Sequence, residues 1–120
     1  MPNFSNRSKR RLKTCDRRLQ DACNAVIKVY NITVLCGHRG EIEQNAAVAS
    51  GASFTVFPNS RHNSNPSRAV DIAPWPVNWE DIDRFVVMSY YMKGAISALG
   101  YDIEWGGDWP NFKDYPHWQV

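Results

Sequence analysis

From Ser8 onward, apolar residues recur at Leu12, Cys15, Leu19, Ala22 or Cys23, Val26 and Tyr30. This is the three-to-four-residue period of a helix that buries one stripe, with a basic face opposite. One helix is therefore expected over residues 8–30, after a disordered lead-in at 1–7, with Asn31 closing it. Ile32–Cys36 is a short β-type run, Gly37–Gly40 a loop, and Glu41–Ala49 a short helix closed by Ser50-Gly51. Residues 53–57 read as a strand. Pro58–Ser67 contains two Pro, three Asn and three Ser, the composition of a loop. Ala69–Ala73 is apolar except for Asp71.

Asn78 suits the N-cap of a longer helix with Glu80, Asp81 and Asp83 in its first turns. Its buried stripe reads as Ile82, Phe85, Met92, Ile96 and Leu99, and Gly100 suits the position just past its end. Strands are expected over 101–105 and 115–120, with a loop over 106–113. Helices and strands in this mixed order predict one α+β domain over residues 1–120. Its sheet should be small, mainly antiparallel and packed against helices.

A chain of 120 residues can bury a core without disulfides as staples. Cys15, Cys23 and Cys36 are odd in number and form no C-x-x-C pair, so a disulfide framework or a thiolate zinc cage is a poor reading. Buried free thiols fit better. No apolar run approaches the roughly 18 residues of a membrane span, and no apolar segment follows the basic N-terminus as in a secretory signal.

Charge adds one asymmetry. Residues 1–30 carry eight basic side chains against Asp16 and Asp21, whereas residues 31–120 carry six basic and ten acidic. A basic end of this kind attracts nucleic acid, anionic lipid or an acidic envelope polymer, or is simply a solvated helix face. No aromatic residues interleave with it as a single-strand-binding surface requires.

The candidate chemistry centres on histidine. His62 lies in a polar loop, and Asp71 interrupts an apolar strand, where a carboxylate must be paired, hydrogen-bonded or metal-bound. His117 sits between Pro116 and Trp118. Two imidazoles and a carboxylate form a three-ligand set for catalytic zinc, with a fourth position left for water. Taken singly, the same residues also read as a surface histidine, a strand-end aspartate and a core histidine, and spacing does not choose between these.

The segment Ser60-Arg61-His62-Asn63-Ser64-Asn65-Pro66-Ser67-Arg68-Ala69-Val70-Asp71 resembles the first metal motif of the VanY-like zinc peptidases. Trp105-Gly106-Gly107-Asp108-Trp109 and Asp114-Tyr115-Pro116-His117 resemble its second half. Cys36-Gly37-His38-Arg39 with Glu43-Gln44 resembles the upstream Gly-x-Arg…Gln segment. The similarity runs from about Leu12 to the C-terminus. In one departure, the step from His62 to Asp71 is longer than in many members, and Ser67 stands where they carry Gly.

The resemblance implies a zinc ion held by His62, Asp71 and His117, with Asp114 as the base for a water that the metal acidifies. It implies Arg39 as the cationic donor to the oxyanion, and Gln44 and Ser60 as substrate-binding residues. Gln44 has the alternative of holding Arg39, and Ser60 that of capping its loop. His38 is left to loop structure, and Trp105, Trp109 and Trp118 to cleft walls or core.

The implied activity is a phage-type endolysin cutting the L-Ala–D-Glu bond of peptidoglycan peptides. D-Ala-D-Ala carboxypeptidase is the alternative on the same fold. A non-catalytic zinc module binding nucleic acid through residues 7–18 is the rival of another class, and Asp114 beside His117 argues against it. The expected protein is a monomer without a specific nucleic-acid partner, held in the host cytoplasm until released to the wall.

Overall fold

The computed structural model describes residues 2–120. Its elements are α1 (Asn6–Leu12), α2 (Arg17–Ile27), β1 (Ile32–Cys36), α3 (Glu41–Ala49), β2 (Ala69–Pro74), α4 (Ile82–Leu99), β3 (Glu104–Trp105) and β4 (His117–Gln119). Two short 3₁₀ turns lie at Arg61–Asn63 and Gly106–Asp108. The expected α+β class is observed. The strands form one antiparallel sheet in the order β1-β2-β4-β3, which places β2 and β4 at its centre.

The single helix expected over 8–30 is two. The chain leaves α1 at Lys13, and Cys15 forms a parallel bridge with Ser67. Ser67 donates its backbone N–H to the Thr14 carbonyl at 2.8 Å, and Asp16 donates to the Ser67 carbonyl at 2.7 Å. Backbone groups spent on a distant loop cannot also continue a helical ladder. Asp16 then caps α2 through its carboxylate, which accepts from Arg18 N–H. The apolar period survives the break because Leu12 of α1, Cys15 of the link and Leu19, Cys23 and Val26 of α2 are all buried in one core.

The lead-in is also more ordered than expected. Phe4 is buried in the core, and Ser5 caps α1 by accepting from Ser8 N–H, so only Met1 of that segment lies outside the described residues. Ser8 in turn reaches β1, its hydroxyl accepting from Val34 N–H at 3.0 Å.

Residues 53–57 form no strand. Ser53, Thr55 and their neighbours run as a loop whose polar groups serve the site described below. Asp81, not Asn78, caps α4 through Arg84 N–H, and Asn78 instead holds the preceding turn by accepting from Glu80 N–H. Phe85, Met88, Ser89, Met92 and Ile96 form the buried stripe of α4, whereas Ile82 and Leu99 are exposed at its two ends. Gly100 ends the helix at φ 74°, the left-handed conformation that glycine adopts without steric cost. The last two strands are shorter than expected: Tyr101 and Ile103 pack against the core without pairing, and Tyr115 and Pro116 form a turn before β4.

Along the central strand β2, alternation sends Val70 and Ile72 into the core with Val34, Met92 and Trp118. Asp71 points to the other face, and there it pairs in register with His117 of β4. The sheet therefore has one apolar face under the helices and one face that carries charge.

Candidate active site

On that charged face, two histidines converge on one carboxylate. His117 Nδ1 lies 3.1 Å from Asp71 Oδ1, and His62 Nε2 lies 3.3 Å from the same oxygen. The imidazole rings meet edge to face with centroids 5.2 Å apart. His62 comes from the 3₁₀ turn that follows the polar loop. Ser60 builds that turn as a capping box, accepting from His62 N–H while Asn63 accepts from Ser60 N–H. Ser60 thus shapes the loop that presents His62, and it also lines the cleft.

The far nitrogen of each ring is committed. His62 Nδ1 lies 2.7 Å from the Gly37 carbonyl, to which it can only donate, and this fixes Nε2 toward Asp71. His117 Nε2 lies 2.8 Å from Gln119 Oε1. His62 is 3% exposed, yet its Nε2 has no hydrogen-bond partner: the nearby carboxylate is close but not aligned. A buried ring nitrogen left unpaired beside a carboxylate offers a cation two donor atoms at once. The donor set of imidazole and carboxylate suits a first-row divalent ion such as zinc.

Cys36 also stands in this cluster. Its sulfur, His62 and Asp71 place donor atoms within 4.8 Å of one another. Sequence reasoning left Cys36 among the buried thiols; Cys15 and Cys23 are buried, but Cys36 is only half-buried at the site. The signal was present in its position one residue before the Gly-x-Arg segment, but strand alternation places it on the core face of β1, opposite to where it lies.

Electrostatics follow from this crowding. Burial opposes ionisation of Asp71, yet His117 and His62 hold its carboxyl well below the usual carboxylate range. Burial would lower His62, but Asp71 and Cys36 outweigh it, and the imidazole is pushed up to about 10. Burial raises the Cys36 thiol, but the adjoining His62 brings it below its ordinary value, whereas burial pushes Cys15 up to about 12. Asp114 is raised, by burial first and then by the charge of Asp71.

Arg39 and Gln44 are brought to the same place. Arg39 Nη2 lies 3.7 Å from Asp71 Oδ2, and Nη1 donates to Gln44 Oε1 at 3.0 Å. Gln44 is fully buried, and its amide donates to Ser53 Oγ and the Thr55 carbonyl while Oε1 also accepts from Asn63. With all its polar capacity spent inside the protein, Gln44 has nothing left for a ligand. The expectation that it binds substrate is corrected: it positions Arg39 and the His62 loop.

A family model described as phage L-alanyl-D-glutamate peptidase matches residues 2–119. The chain belongs to the phage L-alanyl-D-glutamate peptidase family. The peptidase is also similar to a solved structure, the L-Ala D-Glu endopeptidase ChiX of Serratia marcescens, at 28% identity and a TM-score of 0.82. That match covers 98% of this chain and 90% of the other. The protein is accordingly a peptidase that acts on peptidoglycan.

The peptidase's cleft is about 730 Å³ and runs over this cluster. Asp114 lines it, with Oδ2 3.9 Å from His117 Nδ1. The chain bends between them as the Tyr115-Pro116 segment crosses to β2, where Ile72 donates its N–H to the Pro116 carbonyl. Phe54 and Phe112 meet edge to face at the cleft mouth, and Trp109 packs against the His117 ring. Trp105 and Trp118 belong to the core instead, stacked on each other. His38 is exposed and takes no part.

Proposed function

We propose that this peptidase cleaves the L-Ala–D-Glu bond of peptidoglycan stem peptides, using a divalent cation, zinc in the first place, held by His62, Asp71 and His117. The observation that carries the reading is the approach of both imidazoles to one oxygen of Asp71, with a buried His62 nitrogen left unpaired. A cation bound there supplies Lewis acidity, acidifying water and polarising the scissile carbonyl.

The remaining roles fall to side chains in the cleft. Asp114, its carboxyl raised by burial and by Asp71, takes the proton of the attacking water and returns it to the departing amine of D-Glu. A carbon–oxygen bond forms at the L-Ala carbonyl as its bond to nitrogen breaks, so one proton moved by Asp114 completes the hydrolysis. Arg39, oriented by Gln44, supplies the cationic donor to the oxyanion. Ser60, on the cleft wall, contacts the peptide. The choice of bond rests on the family and on ChiX, whose name states it. On this reading the protein is a lysis enzyme, stored in the host cytoplasm and released to the wall.

The test is metal content of the purified protein together with mass spectrometry of digested peptidoglycan. Stoichiometric zinc and released peptides beginning with D-Glu are expected. Free D-alanine as the main product would replace the endopeptidase with a carboxypeptidase, and an inert zinc-loaded protein would sink the reading.

A further inference from the structure

We infer that Cys36 is a protein donor to the cation centre, adding a soft thiolate to the two imidazoles and the carboxylate. The inference rests on the metal reading proposed above and extends it to a residue outside that ligand set.

The backbone supplies the first argument. Ile32 and Val34 of β1 face the core, and strict alternation would send Cys36 after them. It does not follow. Val34 pairs with Ile72, and the register then shifts so that Cys36, rather than Leu35, stands opposite Asp71. One extra residue in the strand turns the thiol from the core toward the charged face. Bulges next to active sites commonly re-aim one side chain in this way.

The second argument is what the thiol meets there. Its sulfur, His62 and Asp71 offer donor atoms all within 4.8 Å of one another. His62 belongs to that set, its Nε2 unpaired and its ring fixed by the Gly37 carbonyl. Arg39 Nη2 donates to the sulfur at 3.5 Å, so the thiol faces the polar cluster and not the core. The thiol also donates to the carbonyl of its neighbour Gly37 at 3.5 Å. A small hydrophobe would not require this setting, and Cys15 and Cys23 show the contrasting case, buried in the core.

Coordination forms a metal–sulfur bond and releases the thiol proton to solvent, with no change of oxidation state. Zinc sites expand to five donors, so a thiolate contact is compatible with a reacting water. A soft donor would also bias the centre toward zinc and against magnesium, calcium or manganese.

Cobalt(II) loaded into the metal-free full-length chain tests this. Visible d–d absorption reports occupancy of the centre, and a near-ultraviolet thiolate-to-cobalt charge-transfer band reports sulfur. Both are expected in the unaltered protein. Cys36→Ser and Cys36→Ala should keep the visible absorption, lose the near-ultraviolet band, and bind zinc more weakly by roughly tenfold or more, the lower edge of what even an outer partner of a ligand costs. Visible absorption without a sulfur band in the unaltered protein overturns this inference and leaves the metal reading standing. Absence of any cobalt absorption overturns both.

Discussion

His117 and Gln119, two residues apart on β4, are joined side chain to side chain, with Nε2 of the imidazole 2.8 Å from the amide oxygen. Both side chains leave the same face of the strand because its period is two. Donation from Nε2 fixes the tautomer whose Nδ1 lone pair is free for a cation held beside Asp71. Gln119→Leu should therefore weaken zinc binding by roughly 10–100-fold, measured by competition with a chromogenic chelator. Gln119→Glu, which keeps the acceptor, should restore most of it. Equal losses in the two variants would remove Gln119 from this role.

Asp114→Asn should bind zinc as the unaltered protein does, yet lose peptidoglycan hydrolysis by roughly 10²–10⁴-fold, the usual contribution of a positioned acid–base group. Turbidity clearance of purified walls measures the second effect and metal analysis the first. Loss of both together would make Asp114 a ligand rather than a base.

Gly106 lies against the backbone of Asp114. A Cβ built on Gly106 would overlap the Asp114 carbonyl oxygen and stand 2.9 Å from its Cβ, while the Gly106 carbonyl accepts from Asp114 N–H at 3.0 Å. Gly106→Ala must push the 113–115 segment outward. The expected cost is about 1–3 kcal/mol of stability, read by urea denaturation, with a fall in kcat larger than any change in zinc affinity. An alanine variant with normal kcat would show that the segment yields without moving the carboxylate.

Proton release gives a further check. Since His62 is pushed up to about 10, the metal-free protein holds its imidazole charged at pH 8. Coordination needs a lone pair, so the proton must leave, and affinity should rise with pH up to that value and flatten above it. Calorimetry of the unaltered protein in buffers of different ionisation enthalpy should show at least one proton released per zinc at pH 8. A count near zero would mean that His62 is already neutral before the metal arrives.

How far the sequence carried depends on where each signal was written. Ile32–Cys36, Glu41–Ala49 and Ala69–Ala73 are visible as local patterns, and the structure keeps their boundaries almost unchanged. The break between α1 and α2 is not local: Thr14 and Asp16 give their backbone groups to Ser67, and no periodicity within the helix records that. Gln44 is similar, because its partners Ser53, Thr55 and Asn63 lie on a separate loop. The residue types suggested the grouping of His62, Asp71 and His117, and resemblance to a family decided it. Cys36 escaped because one inserted residue in β1 decides its direction, and alternation predicts the opposite face.

The pairing of Asp71 with His117 across the two central strands has a bearing on folding. A slip of β4 by a single residue would turn the imidazole under the helices and strand it among Val70 and Trp118. Any ion gripping both side chains is thus available only to the correctly aligned sheet, and its binding energy penalises every misaligned one. The same two residues would then serve as reactive machinery and as a proofreading clasp on strand alignment.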